Sequence, residues 1–129
     1  MGDKAKILVA EDEKDIRELI GFTLRFAGLE VTLVKNGVEA VEQVSQMQPD
    51  LILLDVRMPK MTGYETCRVL KSNPETCDIP VVILSAKGQE GEIQEGMESG
   101  ADHYIVKPFA PDELANQVKD ILRDSGISV

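Results

Sequence analysis

The stretch Leu51-Ile52-Leu53-Leu54-Asp55 places four apolar residues directly before a carboxylate. An apolar run of this length is typical of a short strand that is buried on both faces, as in a parallel sheet covered by helices. Because a carboxylate inside such a strand would be costly to desolvate, we expect Asp55 at the carboxyl end, emerging into a cleft. In open α/β sheets, that edge is where ligands bind.

Other predicted strands also end in polar side chains. Residues 6–10 lead into Glu11 and Asp12, and residues 103–106 lead into Lys107. The carboxyl ends of parallel strands meet at one edge of the sheet. We therefore predict that three acidic groups and one amine converge there.

Strands and helices are predicted to alternate along the whole chain. Apolar spacing and the positions of glycine and proline predict strands at residues 6–10, 30–34, 51–55, 81–85 and 103–106, and helices at residues 14–27, 38–47, 63–71, 88–99 and from Pro111 onward. Strict alternation implies parallel strands with right-handed crossovers, hence a doubly wound α/β sandwich.

Two of these helices differ in their apolar anchors. The first is predicted to bury one stripe, comprising Ile16, Leu19, Ile20, Leu24 and Ala27. The fourth, at residues 88–99, has only Ile93 and Met97 as clear anchors and contains two glycines. We expect it to be the least stable helix.

Composition and charge restrict the possible classes of protein. The 129 residues are 43% hydrophobic and 29% charged, as expected for one globular domain. No apolar run approaches the roughly 20 residues of a membrane span, and no signal peptide is evident, so a cytoplasmic protein is expected. The net charge of −9 argues against direct nucleic-acid binding. The negative charge is compatible with binding of cations or of basic surfaces on a partner protein. It is equally compatible with a charge whose only effect is to keep the protein in solution.

Cysteine and histidine are too few to predict a zinc site. The chain has Cys67, Cys77 and the single histidine His103, with no CxxC pair. A disulfide is possible by number alone, but a reducing cytoplasm favours two thiols.

The predicted cluster has a definite chemistry. Carboxylates from Glu11, Asp12 and Asp55 would repel one another, which calls for a hard divalent cation such as Mg²⁺. Lys107 would add a positive charge, and Ser85 at the end of the 81–85 strand would add a hydroxyl. A carboxylate here could attack phosphorus and form an aspartyl-phosphate, stabilised by the cation and the amine.

Each of these residues also has a simpler interpretation. Glu11 and Asp12 could be an acidic pair at a helix N-terminus, where the macrodipole favours negative charge. Lys107 could be a solvated surface amine, and Ser85 could merely cap a strand. Their joint occurrence at successive strand ends favours a site.

At these residues the chain resembles the receiver domains of response regulators in two-component signalling, the CheY-like family. The similarity covers essentially the full length, as a single domain over residues 1–129 with a core at about 5–123. It rests on residues 9–13, the Asp55 strand, residues 58–63, residues 84–87 and residues 107–109. The resemblance implies a flavodoxin-like three-layer fold with five helices and strand order 2-1-3-4-5.

The resemblance also implies a role for each matching residue. Asp55 would accept the phosphoryl group, with Lys107 paired to that group and Ser85 hydrogen-bonded to it. Mg²⁺ or Mn²⁺ would be bound by Asp12, by Asp55 and by the backbone carbonyl of Arg57, with Glu11 acting through a water. Tyr104 would be an aromatic switch coupled to Ser85, Ala86 would leave access to the site, and Pro108 would follow a cis bond.

Partners are implied in the same way. The phosphodonor would be a sensor histidine kinase or a phosphotransfer protein. A downstream protein would bind the face formed by the predicted helix 88–99 (helix 4), the fifth predicted strand and the helix that starts at Pro111 (helix 5). His103 and Gln117 replace the aspartate and arginine of one subgroup's dimer interface, so we expect a monomer or a weak dimer. Ser85 and Glu11 replace the commoner threonine and aspartate.

Two other classes share this architecture. Haloacid-dehalogenase-like phosphatases have a second acid two residues after the nucleophile, where this chain has Arg57. A flavodoxin-like flavin carrier would need a hydroxyl- and glycine-rich phosphate loop after the first strand, where Glu11, Asp12 and Glu13 would repel the phosphate. We therefore expect a signalling phosphoacceptor without external turnover, either standing alone or as part of a longer chain.

Overall fold

The computed structural model describes residues 4–86, 100–107, 109–127 and 129. Within these ranges the elements are β1 (Lys6–Ala10), α1 (Lys14–Phe26), β2 (Glu30–Val34), α2 (Gly37–Met47), β3 (Leu51–Asp55), α3 (Gly63–Lys71), β4 (Val81–Ala86), β5 (His103–Lys107) and α4 (Pro111–Asp124). The helix predicted at residues 88–99 and the predicted cis bond before Pro108 lie outside the described residues. The helix α4 therefore corresponds to the fifth predicted helix.

The five strands form one parallel sheet in the order β2-β1-β3-β4-β5. Helices α1 and α4 pack on one face of this sheet, and α2 and α3 pack on the other. The predicted doubly wound fold and its strand order are confirmed. Two strands extend one residue beyond the prediction, because β4 includes Ala86 and β5 includes its partner in the register, Lys107.

The strand β3 lies at the centre of both hydrophobic cores. Leu51 and Leu53 pack on the face with α1 and α4, whereas Ile52 and Leu54 pack on the face with α2 and α3. All four side chains are fully buried. This alternation explains why β3 is apolar at every position before Asp55.

The outer surface of α1 differs from the sequence prediction. The buried residues of this helix are Ile20, Gly21, Thr23 and Leu24, whereas the predicted core residue Leu19 is 46% exposed. At about 100° per residue, Leu19 lies about 140° around the helix from the buried Leu24, so it points away from the sheet. Leu19 lies instead toward Phe22 and Phe26, whose rings stack on the outside with centroids 6.1 Å apart.

The loop between β3 and α3 is closed by a capping box. The Thr62 side chain accepts a hydrogen bond from the Glu65 amide, and the Glu65 side chain accepts one from the Thr62 amide. These bonds satisfy two amides at the start of α3. They therefore fix the start of the helix that follows Asp55.

The described residues also bear on membrane spans and on the cysteines. No helix there has the length and apolarity needed to cross a membrane. Both cysteines are described: Cys67 is buried, Cys77 is partly buried, and no disulfide joins them.

Candidate functional site

The carboxyl ends of β1, β3 and β5 bring Glu11, Asp55 and Lys107 into direct contact. The Nζ atom of Lys107 lies 2.9 Å from Glu11 Oε1 and 2.7 Å from Asp55 Oδ1. The Glu11 side chain is 1% exposed and that of Lys107 is 22% exposed. One ammonium group therefore bridges two carboxylates at the edge where the strand ends predicted a site.

Asp12 completes an acidic cluster at the rim of the same edge. One oxygen each from Glu11, Asp12 and Asp55 lies within 4.8 Å of the others. Asp12 is exposed, and it borders an open cleft of about 790 Å³. The cleft is lined by Asp12, Val56, Arg57, Met58, Pro59, Thr62, Tyr64 and Glu65. Arg57, a predicted site residue, is thus exposed on the wall of this cleft.

Burial and charge act in opposition on the ionisable groups. Burial raises the pKa of Glu11, an effect that the hydrogen bond from Lys107 reduces without cancelling. Burial alone would lower the pKa of Lys107, but its hydrogen bonds and charge interactions with Asp55 and Glu11 outweigh this and leave the pKa raised. Lys107 is therefore held as a cation.

The cluster fits a hard divalent cation. Three carboxylates face one ammonium group, so negative charge remains to be neutralised, and carboxylate oxygens are the donors that Mg²⁺ prefers. Both oxygens of Glu11 accept hydrogen bonds, Oε1 from Lys107 Nζ at 2.9 Å and Oε2 from the Glu13 amide at 3.2 Å. This occupancy suits an indirect contact of Glu11 with a cation better than a direct one.

Two buried hydroxyls on the neighbouring strands β4 and β5 neither accept nor donate a hydrogen bond within the described part of the chain. They are Ser85 Oγ on β4 and Tyr104 Oη on β5. Ser85 is fully buried and precedes Ala86, which pairs with Lys107 in the sheet register. Burial, followed by the interaction with Cys67, raises the pKa of Tyr104 to about 12. The Ser85 hydroxyl, near the carboxyl end of β4, is therefore available to an incoming polar group.

Two residues to which the sequence analysis assigned no role of their own support the cluster. A Cβ atom on Gly63 would overlap the carbonyl group of Asp55, so only glycine lets α3 start this close to β3. Arg17 Nη1 donates to the carbonyl oxygens of Glu11 at 3.0 Å and Asp12 at 3.2 Å. The signal for Arg17 was a cation near a helix N-terminus, where the macrodipole disfavours it, close to an acidic pair.

The fold and this edge define a class of protein. A doubly wound sheet carries, at its strand ends, a buried aspartate bridged to a lysine, a neighbouring acidic pair and a buried hydroxyl. These groups suit a domain that accepts a phosphoryl group on a carboxylate. Residues 7–119 match the response regulator receiver domain family, and the chain belongs to that family.

Relatives of known function are similar over nearly the whole chain. The phosphate regulon transcriptional regulatory protein PhoB of Pseudomonas aeruginosa is 44% identical over 120 residues, which cover 93% of this chain and 52% of PhoB. The response regulator MprA of Mycobacterium leprae is 40% identical over 118 residues, covering 92% of this chain and 51% of MprA. The chain thus spans about half the length of these relatives.

Solved receiver domains have the same fold. The chemotaxis response regulator CheY4 of Vibrio cholerae superposes with a TM-score of 0.87 at 32% identity, covering 92% of this chain and 99% of CheY4. The receiver domain of the sensor histidine kinase PA1611 from Pseudomonas aeruginosa superposes with a TM-score of 0.86 at 29% identity, covering 94% and 99%. In that structure a magnesium ion is coordinated in the active-site cleft.

Family membership decides between the classes considered from the sequence. The chain is a receiver domain, a phosphoacceptor of two-component signalling rather than a turnover enzyme. Receiver domains bind Mg²⁺ in the acidic cleft, and the Glu11, Asp12 and Asp55 cluster is consistent with such a site. The phosphatase and flavin-carrier alternatives are set aside.

Proposed function

We propose that Asp55 is the phosphoacceptor of this domain. The observation that carries the proposal is the contact of 2.7 Å between Asp55 Oδ1 and Lys107 Nζ at the buried end of β3. An oxygen of Asp55 would form a bond to phosphorus, while the bond from phosphorus to the donor's imidazole nitrogen breaks and leaves its electron pair on that nitrogen. Lys107 would stay protonated and pair with the transferred phosphoryl oxygens.

Asp12, Asp55 and the backbone carbonyl of Arg57 would hold Mg²⁺ or Mn²⁺, with Glu11 acting through a water. Bound Mg²⁺ would supply charge neutralisation for the phosphoryl oxygens. The support is the oxygen donor set and the excess of negative charge at the cluster. The hydrogen bonds to both Glu11 oxygens favour its indirect role.

Ser85 and Tyr104 would couple phosphorylation to a change of surface. The Ser85 hydroxyl is buried without a partner among the described residues, so it would bond to the phosphoryl group at Asp55. Tyr104 would turn inward when Ser85 moves. This would bias a two-state surface toward a form that binds a partner.

The partners follow from this chemistry. A receiver domain implies a histidine kinase as phosphodonor, directly or through a phosphotransfer protein, and we expect the reaction in the cytoplasm. We infer that a downstream protein binds the side that carries β5 and α4; the predicted helix 88–99, which we also expect to take part, lies outside the described residues. The net charge of −9 favours output through protein contact rather than nucleic-acid binding by this domain. We expect a monomer or weak dimer.

The intact-protein mass after incubation with acetyl phosphate tests the assignment. We expect wild type to gain one phosphoryl group only when Mg²⁺ is present and Asp55→Ala to gain none. Asp78→Ala, which removes an exposed loop aspartate, is the matched control and should react like wild type. A phosphoryl group on Asp55→Ala, or a wild type that neither reacts nor binds beryllofluoride, would refute the proposal.

A further inference from the structure

The guanidinium group of Arg17 forms hydrogen bonds with the main chain of the turn before α1. The side chain reaches back from α1 to two successive main-chain oxygens, those of Glu11 and Asp12, at 3.0 and 3.2 Å. The first hydrogen bond of α1 runs from the Arg17 amide to Glu13 O, so both oxygens precede the helical ladder. Arg17 therefore ties the turn between β1 and α1 to the helix.

This contact leaves the carboxylates available. An arginine beside carboxylates usually forms bidentate ion pairs with them. Here the guanidinium contacts are to carbonyl oxygens of the same two residues whose side chains join Asp55 in the acidic cluster. The Glu11 amide is also held, by Val34 O at 3.1 Å. The turn is thus fixed from two sides.

We propose that Arg17 is a positioning residue for the cation site. It would preorganise the turn so that the side chains of Glu11 and Asp12 face Asp55, an inference that rests on the proposed Mg²⁺ site. Groups that orient metal ligands commonly change metal affinity 10- to 100-fold when they are removed.

Charge and positioning predict opposite results when Arg17 is replaced. Removing a cation near three carboxylates should strengthen Mg²⁺ binding by electrostatics alone. Loss of the carbonyl contacts should loosen the turn and weaken binding. Neither the lost charge nor a general loss of stability explains a weaker Mg²⁺ affinity in Arg17→Met. Such a result would therefore identify Arg17 as a positioning residue.

The test is an NMR chemical-shift titration with Mg²⁺ at constant ionic strength. We expect the Kd of Arg17→Met to rise about tenfold. The matched control is Arg25→Met, because Arg25 lies on the same helix and also donates to a carbonyl, Val31 O, at 3.1 Å. Its Kd should stay at the wild-type value. Equal or tighter binding by Arg17→Met would overturn the proposal.

A second measurement does not depend on metal. In metal-free protein, the amide order parameters of residues 11–13 should fall in Arg17→Met and stay unchanged in Arg25→Met. Unchanged order in Arg17→Met would overturn positioning, whereas a wild type that binds no Mg²⁺ would refute the proposed function instead. If Arg17→Met does not fold, Arg17→Lys retains the charge and should still bind Mg²⁺ more weakly than wild type; a wild-type Kd would count against the proposal.

Discussion

Lys107 Nζ and Asp55 Oδ1 lie 2.7 Å apart in the unphosphorylated domain. The amine that would pair with the transferred phosphoryl group is thus already in contact with the proposed nucleophile. Because Glu11 shares the same ammonium at 2.9 Å, little reorganisation of charge is needed when a phosphoryl group arrives. The same arrangement makes the stability of the metal-free domain depend on Lys107.

Replacing Lys107 should therefore affect folding and cation binding together. In Lys107→Gln we expect the metal-free protein to lose about 2 kcal/mol of unfolding free energy, since two charge-assisted hydrogen bonds disappear from a mostly buried site. Saturating Mg²⁺ should restore much of this loss by neutralising the carboxylates. Urea denaturation with and without Mg²⁺ measures both effects.

The control for this variant is Lys71→Gln. Lys71 also forms an ion pair, with Asp102 at 2.7 Å, in a part of the fold outside the cluster. The Lys71→Gln variant should be less stable than wild type by the same amount with and without Mg²⁺. A Lys107→Gln protein that Mg²⁺ stabilises no more than Lys71→Gln would contradict the prediction.

Glu11 should make the metal-free domain less stable as the pH rises. Its pKa is raised above 4.5 mainly by burial, so its favourable contribution is complete below pH 4.5 and is lost as the pH rises through the folded-state pKa. Glu11→Gln mimics the neutral form, so it should equal wild type near pH 4.5 and exceed it at neutral pH. Urea midpoints between pH 4.5 and 8 without divalent cations measure this.

Glu18→Gln is the control for a general charge effect, because Glu18 is an exposed carboxylate of α1. Its difference from wild type should not grow over the same pH range. A Glu11→Gln protein that is less stable than wild type at neutral pH would show that the ion pair with Lys107 outweighs the cost of burial.

The sheet and the convergence of Glu11, Asp55 and Lys107 could be predicted because they depend on simple patterns. Buried parallel strands are continuous apolar runs, and alternation with helices fixes the edge at which they end. The contacts of Arg17 could not be predicted, because a cation near a helix N-terminus and an acidic pair does not show that its side chain reaches back to main-chain oxygens. Leu19 was misplaced because neighbouring Leu19 and Ile20 both fit a helical apolar pattern, and only the packing of α1 on the sheet shows which one is buried.

Ser85 should contribute little to the unphosphorylated fold and much to the phosphorylated state. Its buried hydroxyl has no partner within the described ranges, so Ser85→Ala should change stability by less than about 1 kcal/mol. Its affinity for beryllofluoride should fall about tenfold, because a hydrogen bond to a charged group is lost. Fluorine NMR measures the affinity for beryllofluoride, and urea denaturation measures the stability.

Thr76→Val gives the reverse pattern and serves as the control. The buried Thr76 hydroxyl donates to Leu70 O at 2.6 Å, so this variant should lose about 1 kcal/mol of stability and retain beryllofluoride affinity. If Ser85→Ala binds beryllofluoride as wild type does, the proposed bond from Ser85 to the phosphoryl group is wrong.

Gly63 should be required for the geometry of Asp55 as well as for packing. A Cβ atom at this position would meet the Asp55 carbonyl, which is main chain and cannot move aside like a flexible side chain. We expect Gly63→Ala to lose about 2 kcal/mol of stability and to accept a phosphoryl group from acetyl phosphate more slowly.

Gly28→Ala is the control, because Gly28 has a positive φ of 91° but no atom within 4 Å of an added Cβ. It should lose about 1 kcal/mol from backbone strain alone and react at the wild-type rate. Equal phosphorylation rates in the two variants would show that the close approach of α3 to β3 stabilises the fold without positioning Asp55.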